Sequence, residues 1–208
     1  MYGYKSKISE SYSEKSIIQK SASEILIDLL QIKPGDNILD VGCGTGKLTM
    51  NLSRLTKGNI IGIDPSEGMI SQAIQQNKNT GIRFKILSAE QINYKNKFDI
   101  IFCNSTMQWF RDIDRIINNF LLALKAGGKV GIQAPAKNIY SANFIKAIEK
   151  IKKDPRTKNI FSNFQNPWFF FDSPEEYREI FEKHKFVVSH CKIDTILSVH
   201  SPDDIFKI

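Results

Sequence analysis

The sequence predicts an α/β fold with a doubly wound, mostly parallel sheet, spanning 1–208 as one domain, and three observations predict it. Segments of strand character alternate with segments of helical period from residue 37 to residue 134, the pattern of a parallel sheet covered on both faces. A glycine-rich run, Gly42-Cys43-Gly44-Thr45-Gly46, directly follows the first strand segment. The 208 residues, 41% of them hydrophobic, suffice for one sizeable core.

The elements follow in order. Residues 16–31 place Ile17, Ile18, Ala22, Ile25, Leu26, Leu29 and Leu30 at helical spacing, up to the turn Lys33-Pro34-Gly35-Asp36. A short buried strand is expected over 37–41, then a helix over 47–55 and a second strand over 59–64. The alternation continues with a helix over 66–76, strands over 83–88 and 98–104, and a helix over 112–124. A stop at Gly127-Gly128 and a strand over 129–134 complete it. Beyond Pro135 the spacing predicts a helix over 141–152 and then an irregular, aromatic-rich stretch from Phe161 to Phe171. Ser173-Pro174-Glu175-Glu176 is a helix start, with a serine cap, proline in the first turn and acids at the positive end. That helix should reach about His184, with a strand over 186–193 after it.

Composition narrows the function classes. No run approaches the roughly 20 apolar residues of a membrane span, and the polar start lacks a secretory signal's apolar stretch; a cytoplasmic protein is expected. Cys43, Cys103 and Cys191 are widely separated and odd in number, so reduced thiols and no metal site are expected. The net charge of +7 would attract anions without fixing any contact. Its one compact run, Lys150 to Lys158, reads as a solvated helix end or as a patch for a polyanion or acidic substrate.

The strongest motif is Ile38-Leu39-Asp40-Val41-Gly42-Cys43-Gly44-Thr45-Gly46, a strand ending in an acid and then three glycines on alternate positions. Glycines suit a turn that a ligand approaches closely. A dinucleotide fingerprint would need glycine where Lys47 stands, and no Walker A spacing follows. The second strand ends in Gly62-Ile63-Asp64-Pro65-Ser66, where a carboxylate can accept hydrogen bonds from both hydroxyls of a ribose; the alternative is a helix N-terminal acid.

Together these residues resemble the class I S-adenosylmethionine-dependent methyltransferases, over nearly the whole chain from about Tyr4. The resemblance implies a Rossmann-like methyltransferase sheet, a small helical cap over about 138–172, a lid helix over about 4–31, and S-adenosyl-L-methionine as cofactor. It places Asp40, Gly42 and Gly44 around the methionine part, Asp64 on the ribose, and Ser66 and Met69 beside the adenine, and it counts Cys43, Pro65 and Asn104 among the residues that bind the cofactor. Ser88-Ala89-Glu90 is similar to the family's third-strand motif, in which a backbone amide and an acid read the adenine edge; Glu90 reads equally as a surface loop acid.

Asn104-Ser105-Thr106-Met107-Gln108-Trp109 follows the fourth strand, where donor and acceptor meet in this family. It lacks the Asn/Asp-Pro-Pro-aromatic run of enzymes that methylate a flipped base. Cys103 lacks the adjoining proline of a nucleophile for pyrimidine carbon and reads as a core cysteine. The segment is similar instead to the trans-aconitate, malonyl-carrier-protein and juvenile hormone acid methyltransferases, all of which esterify carboxylates. The resemblance therefore implies a small-molecule carboxylate or an acyl-carrier-bound substrate as partner, with an RNA methyltransferase or a non-catalytic cofactor-binding module as alternatives. Gln19, Gln108 and Trp109 are the candidates to orient the acceptor, and Tyr12, seven residues before Gln19, would cover the cofactor. Trp109 also reads as a core aromatic, Gln19 as an exposed helix glutamine, and the rings from Phe161 to Phe171 as cap packing or an apolar pocket. His184 and His190 read as structural, and for His200, near a loop, facing the acceptor is the lesser of its readings. Relatives continue past Ser201-Pro202-Asp203-Asp204 into a longer helix and a final antiparallel strand, which a chain stopping at Ile208 is expected to lack.

Overall fold

The computed structural model describes residues 17–136, 142–164 and 168–194. The described chain divides after Ala134 into two compact units, the second within Pro135–Thr195.

The first unit holds helix α1 (Ile17–Leu30), strand β1 (Ile38–Val41), α2 (Lys47–Ser53), β2 (Ile60–Asp64), α3 (Glu67–Gln76), β3 (Arg83–Ile86), β4 (Phe98–Asn104), α4 (Ile113–Ala123) and β5 (Leu124–Gln133). The five strands form one sheet in the order β3-β2-β1-β4-β5, and all four pairings are parallel. The strand order reverses between β1 and β4, which opens a crevice at their carboxyl ends. β1 and β4 are interior strands of the sheet, buried on both faces, and are apolar apart from Asp40, Asp99 and Asn104. Leu26 and Leu30 of α1 and Leu52 of α2 pack with Ile38, Ile60, Ile100 and Phe102 of the sheet.

Local chemistry sets the helix starts. Ser66 Oγ accepts from Met69 N at the head of α3, and Asp112 accepts from Arg115 N at the head of α4; each satisfies a donor that the first turn leaves unpaired. Two strands differ from expectation. β5 begins at Leu124 rather than at residue 129, because the chain bulges between the pairs Phe98↔Leu124 and Ile100↔Lys129 and then resumes the ladder. The Gly127-Gly128 pair therefore lies inside the strand, where a Cβ on Gly128 would stand 3.1 Å from Asp99 O. The strand expected over 186–193 is absent, because that stretch finds no ladder partner among the described residues.

The second unit holds α5 (Ala142–Lys153), α6 (Lys158–Phe161) and α7 (Pro174–Lys183). Ser173 and Glu176 form a reciprocal capping box at the head of α7. Phe171 packs edge-on against Phe169 at 4.7 Å and against Tyr177 at 4.8 Å between ring centroids, so part of the aromatic stretch is internal packing. No described helix is long and apolar enough to cross a membrane.

Candidate functional site

The loops that leave β1, β2 and β4 converge on the crevice. Gly42 N and Cys43 N both donate to Ile63 O, at 2.8 and 3.0 Å, folding the glycine loop over the end of β2. Gly42, Gly44 and Gly46 all have positive φ. A Cβ on Gly42 would stand 2.1 Å from Thr106 Oγ1, whereas one on Gly44 would meet no protein atom within 4 Å. Gly42 is thus needed for the loop to meet the turn after β4, and Gly44 presents bare backbone to the cleft.

Asp64 closes β2 and ties the loops together. Its Oδ2 accepts from Gly44 N at 3.1 Å and its Oδ1 from Ser66 N at 2.8 Å. Burial pushes its carboxyl above the usual range, and the two backbone bonds work against that rise. Each oxygen retains acceptor capacity beyond its one bond.

Asp40 lies deeper, buried in β1, where its Oδ2 accepts from Thr49 Oγ1 at 2.6 Å. Burial pushes its carboxyl from 3.8 up to about 7; the Thr49 hydroxyl opposes the shift and the Asp64 charge adds to it. Because the folded pKa lies above the unfolded one, Asp40 contributes stability that is fully present below pH 3.8 and is lost as the pH rises to about 7. In urea titrations the stability of the wild type relative to Asp40→Asn is expected to fall across that window. A constant difference would show that Asp40 is ionised throughout.

The turn after β4 is held from several sides. Ser105, with φ 52, donates from Oγ to Gln133 Oε1 at 2.9 Å and from N to Gln133 O at 2.8 Å. Thr106 Oγ1 lies 3.0 Å from Asn104 O, and Gln108 Nε2 donates to Ser105 O at 2.8 Å. Asn104 and Gln108 are 8% and 9% exposed, and Asn104 Oδ1 and Gln108 Oε1 find no partner among the described residues. Trp109 is 38% exposed. The thiols of Cys43 and Cys103 are buried, and burial raises both above their ordinary value.

The third-strand turn joins the same group through Leu87 N, which donates to Asp64 O at 3.1 Å. Ala89 is buried, and Glu90 Oε1 accepts from Arg111 N at 3.2 Å. Glu90 is therefore engaged with the segment that follows Trp109.

These bonds tie the loop Gly42-Cys43-Gly44 to the end of β2 at Asp64, link the turn before Ala89 and Glu90 to Asp64 through Leu87, and join Thr106, beside Asn104, to Gly42; Asp40 and Met69 are buried in β1 and α3, and Pro65 is exposed. Tyr12 and His200 lie outside the described residues; Gln19 is on α1, but its side chain lies outside them. Sequence reasoning missed Thr49 and Thr106. Thr49 carried a signal: it shares the buried face of α2 with Leu52, and a hydroxyl on an apolar face implies a buried acceptor.

The residues fit an adenosyl sulfonium. Bare backbone at Gly44 admits a close approach, Asp64 has lone pairs to receive ribose hydroxyls, and Asn104 Oδ1 and Asp40 suit an ammonium group.

Among known proteins, residues 32–196 match the family described as Methyltransferase domain. A malonyl-[acyl-carrier protein] O-methyltransferase of Acetivibrio thermocellus is 34% identical over 59% of this chain and 44% of its own length. The protein of the same name from Calditerrivibrio nitroreducens is 27% identical over 97% of this chain and 74% of its own. The chain therefore spans between 44% and 74% of the length of these relatives. Phosphoethanolamine N-methyltransferase 2 of Haemonchus contortus, solved with S-adenosyl-L-methionine, aligns over 81% of this chain and 37% of its own at a TM-score of 0.61 and 21% identity, a likeness of fold.

Proposed function

The chain belongs to the Methyltransferase domain family, and from that premise we propose that it transfers the methyl group of S-adenosyl-L-methionine to a carboxylate oxygen of a small molecule, free or borne on an acyl carrier protein. The observation that carries the choice of acceptor is the chemistry of the mouth. From Asn104 to Phe110 no side chain titrates, and Cys103 beside it is a buried, neutral thiol. A carboxylate suits such a mouth, because it is already ionised at neutral pH and needs no general base. Two relatives named for O-methylation of a malonyl carrier support the same class.

When bound, the cofactor supplies an electrophilic methyl on a sulfonium. The chain's own residues supply alignment. Asp64 holds the ribose, while the Gly44 backbone, Asp40 and Asn104 face the methionine end, the two side chains receiving its ammonium. Gln108 braces the turn after β4 through Ser105 O, and Trp109, with Gln19, orients the acceptor. Holding donor and acceptor in line contributes about 7–11 kcal/mol in well-oriented model reactions, a contribution that requires no acid or base.

Methyl-labelled S-adenosyl-L-methionine offered with malonyl-carrier protein, free dicarboxylic acids and bulk RNA is expected to label an acid as an alkali-labile ester. Label in RNA alone, or a product stable to alkali, overturns the carboxylate reading. Cofactor binding with no product from any acceptor points to a non-catalytic module.

A further inference from the structure

Asn119 belongs to no motif, yet it holds the turn that follows β3. It lies on α4 outside the helix's buried face of Ile116, Ile117, Phe120 and Ala123. Its Nδ2 donates to two consecutive carbonyls, Ala89 O at 3.3 Å and Glu90 O at 3.1 Å. A side-chain amide nitrogen carries two hydrogens, so one planar group serves both oxygens.

These bonds set more than the carbonyls. In a trans peptide the N–H points away from the C=O of the same plane, so fixing Ala89 O also fixes the direction of Glu90 N–H. The first half of the turn is held separately, by the reciprocal bonds between Ser88 and Gln91. Arg111 N steadies the Glu90 carboxylate. Asn119 is the side chain that anchors the second half of the turn to α4.

We propose that Asn119 is a positioning residue for the adenine end of the cofactor pocket, setting through Ala89 O and Glu90 O the backbone that tells adenine from another purine. The proposal rests on the adenosyl cofactor reading above. Hypoxanthine tests it well, because its N1–H and O6 reverse the acceptor and donor that adenine presents on the same edge. A pocket with a fixed pattern of polar groups rejects that reversal, since its own groups are then left unpaired.

Calorimetry with S-adenosylhomocysteine and S-inosylhomocysteine, on the wild type, Asn119→Ala and Asn119→Asp, measures the preference directly. The wild type is expected to favour the adenosine form. Asn119→Ala should shrink that preference about tenfold, mostly through weaker binding of the adenosine form. Asn119→Asp keeps the shape without the donor and should move the same way. Because Asn119 lies off the buried face of α4, both variants are expected to fold, and either alone supplies the comparison. An unchanged preference, or an equal loss for both ligands, overturns the positioning role while the cofactor reading stands. A wild type that binds neither ligand removes both.

Discussion

Asp64→Ala is expected to weaken binding of S-adenosylhomocysteine by roughly 100-fold, about 3 kcal/mol, the largest effect on affinity that a single side chain here should produce. Two losses add. The carboxylate is placed to accept from ribose hydroxyls, and hydrogen bonds to a charged group contribute about 1.5–3 kcal/mol each. The same oxygens hold Gly44 N and Ser66 N, so alanine also loosens the glycine loop and the head of α3. Opposing these, alanine removes a carboxylate that burial disfavours and relieves the charge it imposes on Asp40, so overall stability should change much less than affinity. Ligands lacking the 2′- or 3′-hydroxyl separate the terms. The wild type should lose affinity for each, and the variant should bind them about as well as the parent ligand. If Asp64→Ala binds S-adenosylhomocysteine as tightly as the wild type, Asp64 does not hold the ribose.

That Asp64 could be named from sequence at all follows from how local its signal is. An apolar run ending in an acid, followed by proline and a serine cap, places the carboxylate at a strand's carboxyl end without knowledge of any distant residue. Strand β4 is legible to the residue for the same reason, since Phe98 and the apolar run 100–103 lie between the polar Lys97 and the strand's closing Asn104. Legibility fails where the determinant lies elsewhere in the chain. The start of β5 depends on a bulge opposite β4, and residues 186–193 have strand composition but no ladder partner among the described residues. Within the site, Thr49 reaches Asp40 across 9 positions, Asn119 reaches Ala89 across 30 and Thr106 reaches Gly42 across 64. The residues that present chemistry to the cleft belong to short motifs, whereas those that hold them in place are brought in by the fold.

Gly42→Ala is expected to destabilise the folded chain by about 3 kcal/mol, from left-handed backbone costing about 1–2 kcal/mol and overpacking costing about 1–3 kcal/mol. Gly42 has φ 75, and its Cβ would stand 2.1 Å from Thr106 Oγ1, 2.3 Å from Cγ2 and 2.7 Å from Cβ. Thr106→Ala removes the two nearest of those atoms, so the double variant should recover much of the overpacking and none of the backbone strain. A double-mutant cycle in urea then reads the coupling between the loops that leave β1 and β4. Gly44→Ala is the matched contrast: it meets the same kind of backbone strain at φ 54 but no protein atom within 4 Å. It should therefore lose only about 1–2 kcal/mol of stability while its Cβ intrudes on the ligand and lowers affinity for S-adenosylhomocysteine. Equal stability losses at the two glycines, with no coupling to Thr106, would mean that the turn after β4 gives way freely. The alignment of donor and acceptor could not then depend on the contact between Gly42 and Thr106.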